Sequence, residues 1–200
     1  MESPCLWLVS GIVLVWGVEM RLVNWVLYAV FTFHYIHRTL IYPFRLPVTS
    51  RNVPLSILFL AFVFNLINGF FLGHTMAFDL HLLTVQTSQW LFVLGMVIFT
   101  LGLIINWYAD FILISLKKNN FNQYKIPYGF LFKWVSCPNH LGEIIEWSGF
   151  ALMGLSWSTS AFAVWTAANL IPRSLAHHRW YQRQFENYPE NRKALIPGLL

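Results

Sequence analysis

The feature that most constrains this chain is a succession of apolar runs whose flanking basic residues fall almost wholly on one side. The runs extend from Leu6 to Trp16, Val23 to Tyr42, Val53 to Leu72, Trp90 to Leu116, Gly142 to Trp157 and Ser160 to Ile171. A bilayer core needs roughly 20 apolar residues per helix, so these read as about six crossings, the first and the last two being short on hydropathy alone. Backbone groups in hydrocarbon must be satisfied within the segment, which makes each crossing a helix. If the chain starts in the cytoplasm, Arg38, Arg45, Arg51, Lys117, Lys118, Lys125, Lys133, Arg173, Arg179, Arg183, Arg192 and Lys193 all lie on that side, and only Arg21 lies opposite. Twelve of the 13 basic residues thus share one face, a bias that removing one internal span would destroy. The expected fold is all-α: a polytopic membrane helix bundle with both termini cytoplasmic, residues 1–200 forming one domain.

Composition agrees. A chain that is 57% hydrophobic and 10% charged is far from a soluble domain, whose charged fraction is about 25%. The net charge of +5 follows from the loop bias, so no nucleic acid partner is expected. Cys5 and Cys137 lie on or near the reducing side and lack CxxC spacing, so neither a disulfide nor a metal site is expected. A GxGxxG fingerprint is absent, which excludes a Rossmann-type nucleotide site.

Polar groups inside apolar sequence point to the chemistry, because ionisable side chains at membrane depth face a cavity, a ligand or each other. In Asn139-His140-Leu141-Gly142-Glu143-Ile144-Ile145-Glu146, Asn139, Glu143 and Glu146 share a helical face; the plainer reading makes Asn139 an N-cap after Pro138. Asn106 and Asp110 share a face at i, i+4 near the end of the fourth run. Tyr35, Arg38 and Tyr42 form a stripe at the end of the second, and Arg173, His177 and Tyr181 another at the end of the last. Asn65 reads as a buried helix-joining amide, with Asn68 open to that role or a ligand. The basic, aromatic segment of Lys117, Lys118, Tyr124 and Lys125 suits a phosphate-bearing, base-stacking cofactor or anionic lipid. His74, Asp79 and His81 read as solvated lumenal groups, and Glu2, by composition alone, as an exposed acid at a helix start.

Met1-Glu2-Ser3-Pro4, His34 to Pro43, Asn106 to Asp110, Tyr124 to Gly129, Cys137 to Trp147 and His177 to Pro197 together resemble the steroid 5α-reductase family, over essentially all 200 positions. Asn65-Leu66-Ile67-Asn68-Gly69-Phe70 and Val135-Ser136-Cys137-Pro138-Asn139 are most similar to its plant-type, brassinosteroid-synthesising branch. The resemblance implies a multi-pass enzyme of the endoplasmic reticulum membrane, acting as a monomer among lipids on a small steroid. It implies reduction of the 4,5 double bond of a 3-oxo-Δ4 steroid with NADPH, by hydride transfer to C5. It assigns Glu2 and Tyr35 to the C3 carbonyl, reversing the plain reading of Glu2. It assigns Arg38, Arg51, Asn106, Asp110, Lys117, Tyr124, Lys125, Asn139, Glu143, Arg173, His177 and Tyr181 to the cofactor, and places Arg192 at a structurally sensitive arginine. The family has seven helices, one of them ahead of the Glu2 position, so the chain is expected to be N-terminally shortened. Lys117 and Lys125 stand where many relatives have arginine, and Phe130 stands in place of a glycine. A trans-2-enoyl-CoA or polyprenol reductase of the same superfamily, and a non-catalytic shortened paralogue, are the alternatives.

Overall fold

Apolar side chains on every face of a segment leave helix as the only backbone that satisfies itself, and helices fill the chain accordingly. The computed structural model describes residues 3–17, 20–46, 54–79, 86–119 and 124–200. Seven α-helices occur among them: α1 Ser3–Trp16, α2 Leu22–Ile36, α3 Tyr42–Arg45, α4 Leu55–His74, α5 Gln86–Asn119, α6 Pro138–Gly154 and α7 Trp157–Gln184. The stretches Leu55–Phe78 and Gln89–Lys118, of 24 and 30 residues, are long and apolar enough to cross a membrane. The 14 residues of α1 are apolar but shorter. Glu2 and Arg51 lie outside the described residues.

Helix boundaries depart from the apolar runs where proline and capping chemistry intervene. Pro43 has no N–H to continue an α-helix, and the backbone ahead of it loosens into a π-helical turn, His37–Ile41, in which the Tyr42 N–H reaches the His37 carbonyl. A second π turn, Thr75–Asp79, follows α4, so the chain is still helical at His74. α6 begins at Pro138, not Asn139: the Leu141 N–H bonds the Cys137 carbonyl at 3.2 Å, which puts Pro138 in the first helical position and Asn139 inside the first turn. The N-cap reading of Asn139 is therefore corrected. Ser156 caps α7, its Oγ accepting from Thr159 N–H at 3.2 Å while Ser156 N–H reaches Thr159 Oγ1 at 3.3 Å, a reciprocal capping box.

The chain divides into two compact units, Met1–Phe92 with Met153–Ser160, and Val93–Leu152 with Ala161–Leu200. In the first, α1 and α4 pack backbone to backbone through Gly69 and Gly73. A Cβ on Gly69 would lie 3.2 Å from Cys5 Cα, and one on Gly73 3.3 Å from Val9 Cα. Asn68 Nδ2 points at Cys5 Sγ across this contact, 3.7 Å away, while Asn65 Nδ2 bonds back to Ala61 O in its own helix at 2.8 Å. Asn68 thus makes a helix-joining contact, and Asn65 is buried, as expected of it. The Asn24 amide donates to Met76 O in the second π turn at 2.8 Å, and Thr75 Oγ1 meets Ser158 Oγ at 2.8 Å.

The second unit is built on an antiparallel seam between α5 and α6. Gly102 and Gly142 face each other's backbone, and one heptad further along Gly149 faces the backbone of Gly95 and Phe99. A Cβ on Gly142 would stand 2.8 Å from Gly102 O and 2.9 Å from Asn106 Cα, and one on Gly149 2.6 Å from Gly95 O. Only hydrogen fits there, and this close approach sets which polar groups meet at one end of the seam.

Candidate functional site

In the second unit the seam brings the two polar stripes of the middle helices to one place. Asn106 Nδ2 donates to the main-chain carbonyl of Asn139 at 3.0 Å. Asn106 and Asp110 are each 2% exposed, and Glu143 and Asn139 are half-buried one turn apart on α6. Glu146, expected to share their ligand-facing stripe, is instead fully buried, its Cα 2.6 Å from where a Gly102 Cβ would stand. It belongs to the seam.

α7 adds the third wall. Ser174, two residues after Pro172, gives its hydroxyl proton to Leu170 O at 2.8 Å and so accepts from His140 Nδ1 at 2.8 Å, which assigns His140 the Nδ1–H form. One turn on, His177 meets the His140 ring edge-on at 6.1 Å. Arg173 and His177 are exposed, and Tyr181 is half-buried. Tyr124 and Lys125 are exposed on the segment before the 3₁₀ turn Phe130–Lys133, and the Tyr124 ring packs edge-on against Trp180 at 5.0 Å. Lys117 is exposed near the end of α5.

The C-terminal segment closes the unit over this wall. Ser136 N–H and Cys137 N–H bond Lys193 O and Ala194 O at 2.8 and 3.1 Å, and Lys193 N–H bonds Trp134 O at 2.9 Å, making a parallel bridge. Arg192 is 2% exposed and donates through Nη1 to Pro127 O at 3.2 Å, its guanidinium lying over Tyr188 and Tyr128 at 5.0 and 5.4 Å. That placement explains why a change there would disturb the structure. Ser136 and Tyr188, which periodicity did not single out, tie the same segments together.

Beyond the apolar crossings, burial shifts three titratable groups. It pushes the Cys137 thiol up to about 12 despite its contact with Ser174. It does the same to the Tyr181 phenol, also to about 12, with Cys137 and Tyr188 adding to the shift. His178 is held below its ordinary value by burial first, then by Arg192 and Lys193. Burial thus favours the protonated thiol of Cys137 and the protonated phenol of Tyr181.

In the first unit, Tyr35 is buried against Phe31 at 4.5 Å and His34 at 5.5 Å, and Thr39 Oγ1 holds the Tyr35 carbonyl at 2.6 Å. Arg38 sits in the π turn with its guanidinium 4.8 Å from the Tyr42 ring, as the stripe of the two residues implied. Single π turns such as His37–Ile41 recur at functional sites.

Among the described residues no group of three His, Cys, Asp or Glu converges as metal ligands do. The donor set of the second unit suits a polyanionic dinucleotide instead. Exposed Lys117, Lys125 and Arg173 match phosphate, Tyr124 and Trp180 offer faces for a base, and the buried Asn106 and Asp110 are side chains of the kind that hydrogen-bond a ring edge.

Known proteins align with all of these elements. A family profile described as 3-oxo-5-alpha-steroid 4-dehydrogenase matches residues 51–200. The steroid 5-alpha-reductase DET2 of Solanum lycopersicum is 44% identical over 208 residues, spanning 100% of this chain and 78% of its own length. The 3-oxo-5-alpha-steroid 4-dehydrogenase 1 of Mus musculus is 39% identical over 187 residues, 90% of this chain and 70% of its own. The corresponding dehydrogenase 2 of Sus scrofa is 42% identical over 172 residues, 86% and 67% of the two chains. The profile runs from the start of α4 through the segment carrying Arg192, and the identity extends across both units: this chain belongs to the 3-oxo-5-alpha-steroid 4-dehydrogenase, or steroid 5α-reductase, family.

Proposed function

We propose that this chain reduces the 4,5 double bond of a 3-oxo-Δ4 steroid with NADPH, as a multi-pass, monomeric protein of the endoplasmic reticulum membrane with six crossings and cytoplasmic termini. The observation that carries the reading is the hydrogen bond from Asn106 to Asn139 across the glycine seam, which gathers amides and carboxylates where helices should be apolar. Family membership and the names of the relatives support the substrate class.

In this reading Arg38, Arg51, Lys117, Lys125 and Arg173 neutralise the phosphates, and Tyr124 stacks on a base. Asn106, Asp110, Asn139, Glu143, His177 and Tyr181 supply the oriented hydrogen bonds that fix sugar and ring. Bound NADPH supplies the hydride delivered to C5. Tyr35 and a protonated Glu2 donate hydrogen bonds to the C3 oxygen, polarising the enone and holding the negative charge that collects there until C4 takes a proton. Removing one such donor lowers turnover by about 10²–10³-fold.

Microsomes containing the chain, given NADPH and a panel of 3-oxo-Δ4 steroids beside a trans-2-enoyl-CoA, test this. The expected result is a 5α-reduced steroid, with Tyr35→Phe expressed normally and lowered by that factor. Reduction of the enoyl-CoA alone would move the substrate to fatty acyl chains. Full turnover by Tyr35→Phe would remove the proposed carbonyl donor.

A further inference from the structure

Ser136 lies where three segments of the second unit meet, and its bonds can be accounted for completely. Its Oγ is 3.1 Å from Lys193 O, 2.6 Å from Tyr188 OH and 2.6 Å from His178 Nδ1. The Lys193 carbonyl can only accept, so a hydroxyl that gives it its one proton must receive from both other partners: Tyr188 O–H and His178 Nδ1–H fill its two lone pairs. Tyr188 OH then accepts from Arg192 Nη1 at 3.5 Å. Ser136 and Tyr188 are buried, so each missing bond would leave a desolvated polar atom behind.

The chain of contacts continues from Tyr188 to Tyr181. Their rings lie parallel, 5.5 Å apart with 10° between the planes, so the orientation of Tyr181 follows that of Tyr188. From this geometry we infer that Ser136 and Tyr188 are positioning residues for the cofactor: the Ser136 hydroxyl fixes the Tyr188 ring, and that ring fixes the Tyr181 phenol that meets the dinucleotide. The inference rests on the NADPH reading above. It extends the site to a serine and a tyrosine that touch no ligand themselves.

The test is NADP⁺ titration of the purified 200-residue chain in detergent micelles, followed by hydrogen exchange over residues 185–195 and steady-state kinetics. Ser136→Ala is expected to bind NADP⁺ about tenfold more weakly, with the steroid KM unchanged, and Ser136→Thr, which keeps the hydroxyl, to bind like the parent. Tyr188→Phe, which keeps the stacked ring but loses the bond to Ser136, is expected to fall between them. Faster exchange in Ser136→Ala with unaltered NADP⁺ affinity would overturn the inference, reducing Ser136 to a fastener of the C-terminal segment, and would leave the NADPH reading intact. A parent chain that binds no NADP⁺ would overturn both. If Ser136→Ala does not fold, parent-like affinity in Tyr188→Phe is the overturning result.

Discussion

Phe130 has φ 47° and follows Gly129 at φ 89°, so the loop ahead of the 3₁₀ turn makes two left-handed steps, of which only one falls on a residue without a Cβ. A left-handed residue with a side chain costs about 1–2 kcal/mol, and Phe130 offsets part of this through its edge-on contact with Tyr108 at 4.8 Å. This rationalises the glycine expected at the position by family resemblance. It also reverses the usual ranking of small residues: Phe130→Ala keeps the strain and loses the ring contact, whereas Phe130→Gly loses both. Thermal unfolding of the two variants in detergent should find Phe130→Gly more stable than Phe130→Ala by about 1 kcal/mol, and the opposite order would show that the loop relaxes to another conformation. At this scale the sequence was readable where a residue acts on near neighbours. Arg38 over Tyr42 followed from spacing, while Ser136 carried no such signal, because its partners lie 42 to 57 residues away.

Periodicity located α5 and α6 well, since an apolar run broken by Asn106 and Asp110, or by Asn139 and Glu143, has one natural register. It did not show what presses those registers together. That signal was present as glycines one heptad apart in each helix, Gly95 and Gly102, Gly142 and Gly149, with Gly69 and Gly73 as a GxxxG pair in α4. Such glycines read as helix-weakening when each helix is taken alone, and acquire their meaning only from a partner helix. Boundaries were missed for related reasons: the π turn ahead of Pro43 and the start of α6 at Pro138 depend on which N–H is absent, not on hydropathy. The seam gives a clear contrast. Gly142→Ala forces a methyl into the α5 backbone and should destabilise by about 1–3 kcal/mol, with weakened NADP⁺ binding because Asn106 and Asn139 separate. Gly11→Ala, at a helical position with nothing within 4 Å of an added Cβ, should stabilise by about 0.5–1 kcal/mol. Paired melting curves check both signs, and a Gly142→Ala variant as stable as the parent would contradict the seam.

For the whole molecule, the charge bias makes a prediction that needs no ligand. Arg21, Lys118 and Arg183 are all exposed, and the native thiols Cys5 and Cys137 are both buried. Single Arg21→Cys, Lys118→Cys and Arg183→Cys variants in sealed microsomes should therefore report through the introduced thiol. The last two are expected to react with an impermeant maleimide from the cytoplasmic side, and Arg21→Cys only after the vesicles are opened. Labelling of Lys118→Cys and Arg183→Cys from opposite sides would break the six-span scheme. The bridge between Trp134–Cys137 and Lys193–Ala194 has a further bearing, on time. Ser136 waits for Tyr188 and Lys193, made 52 and 57 residues later, and at synthesis rates of about 5–20 residues per second that interval is roughly 3–10 s. Throughout it Ser136 Oγ and the Pro127 carbonyl lack the partners that bond them in the finished unit. A chain stalled late in this window, with α6 made but Arg192 not, lacks the guanidinium that in the finished unit caps Pro127 O and lies over the Tyr128 ring.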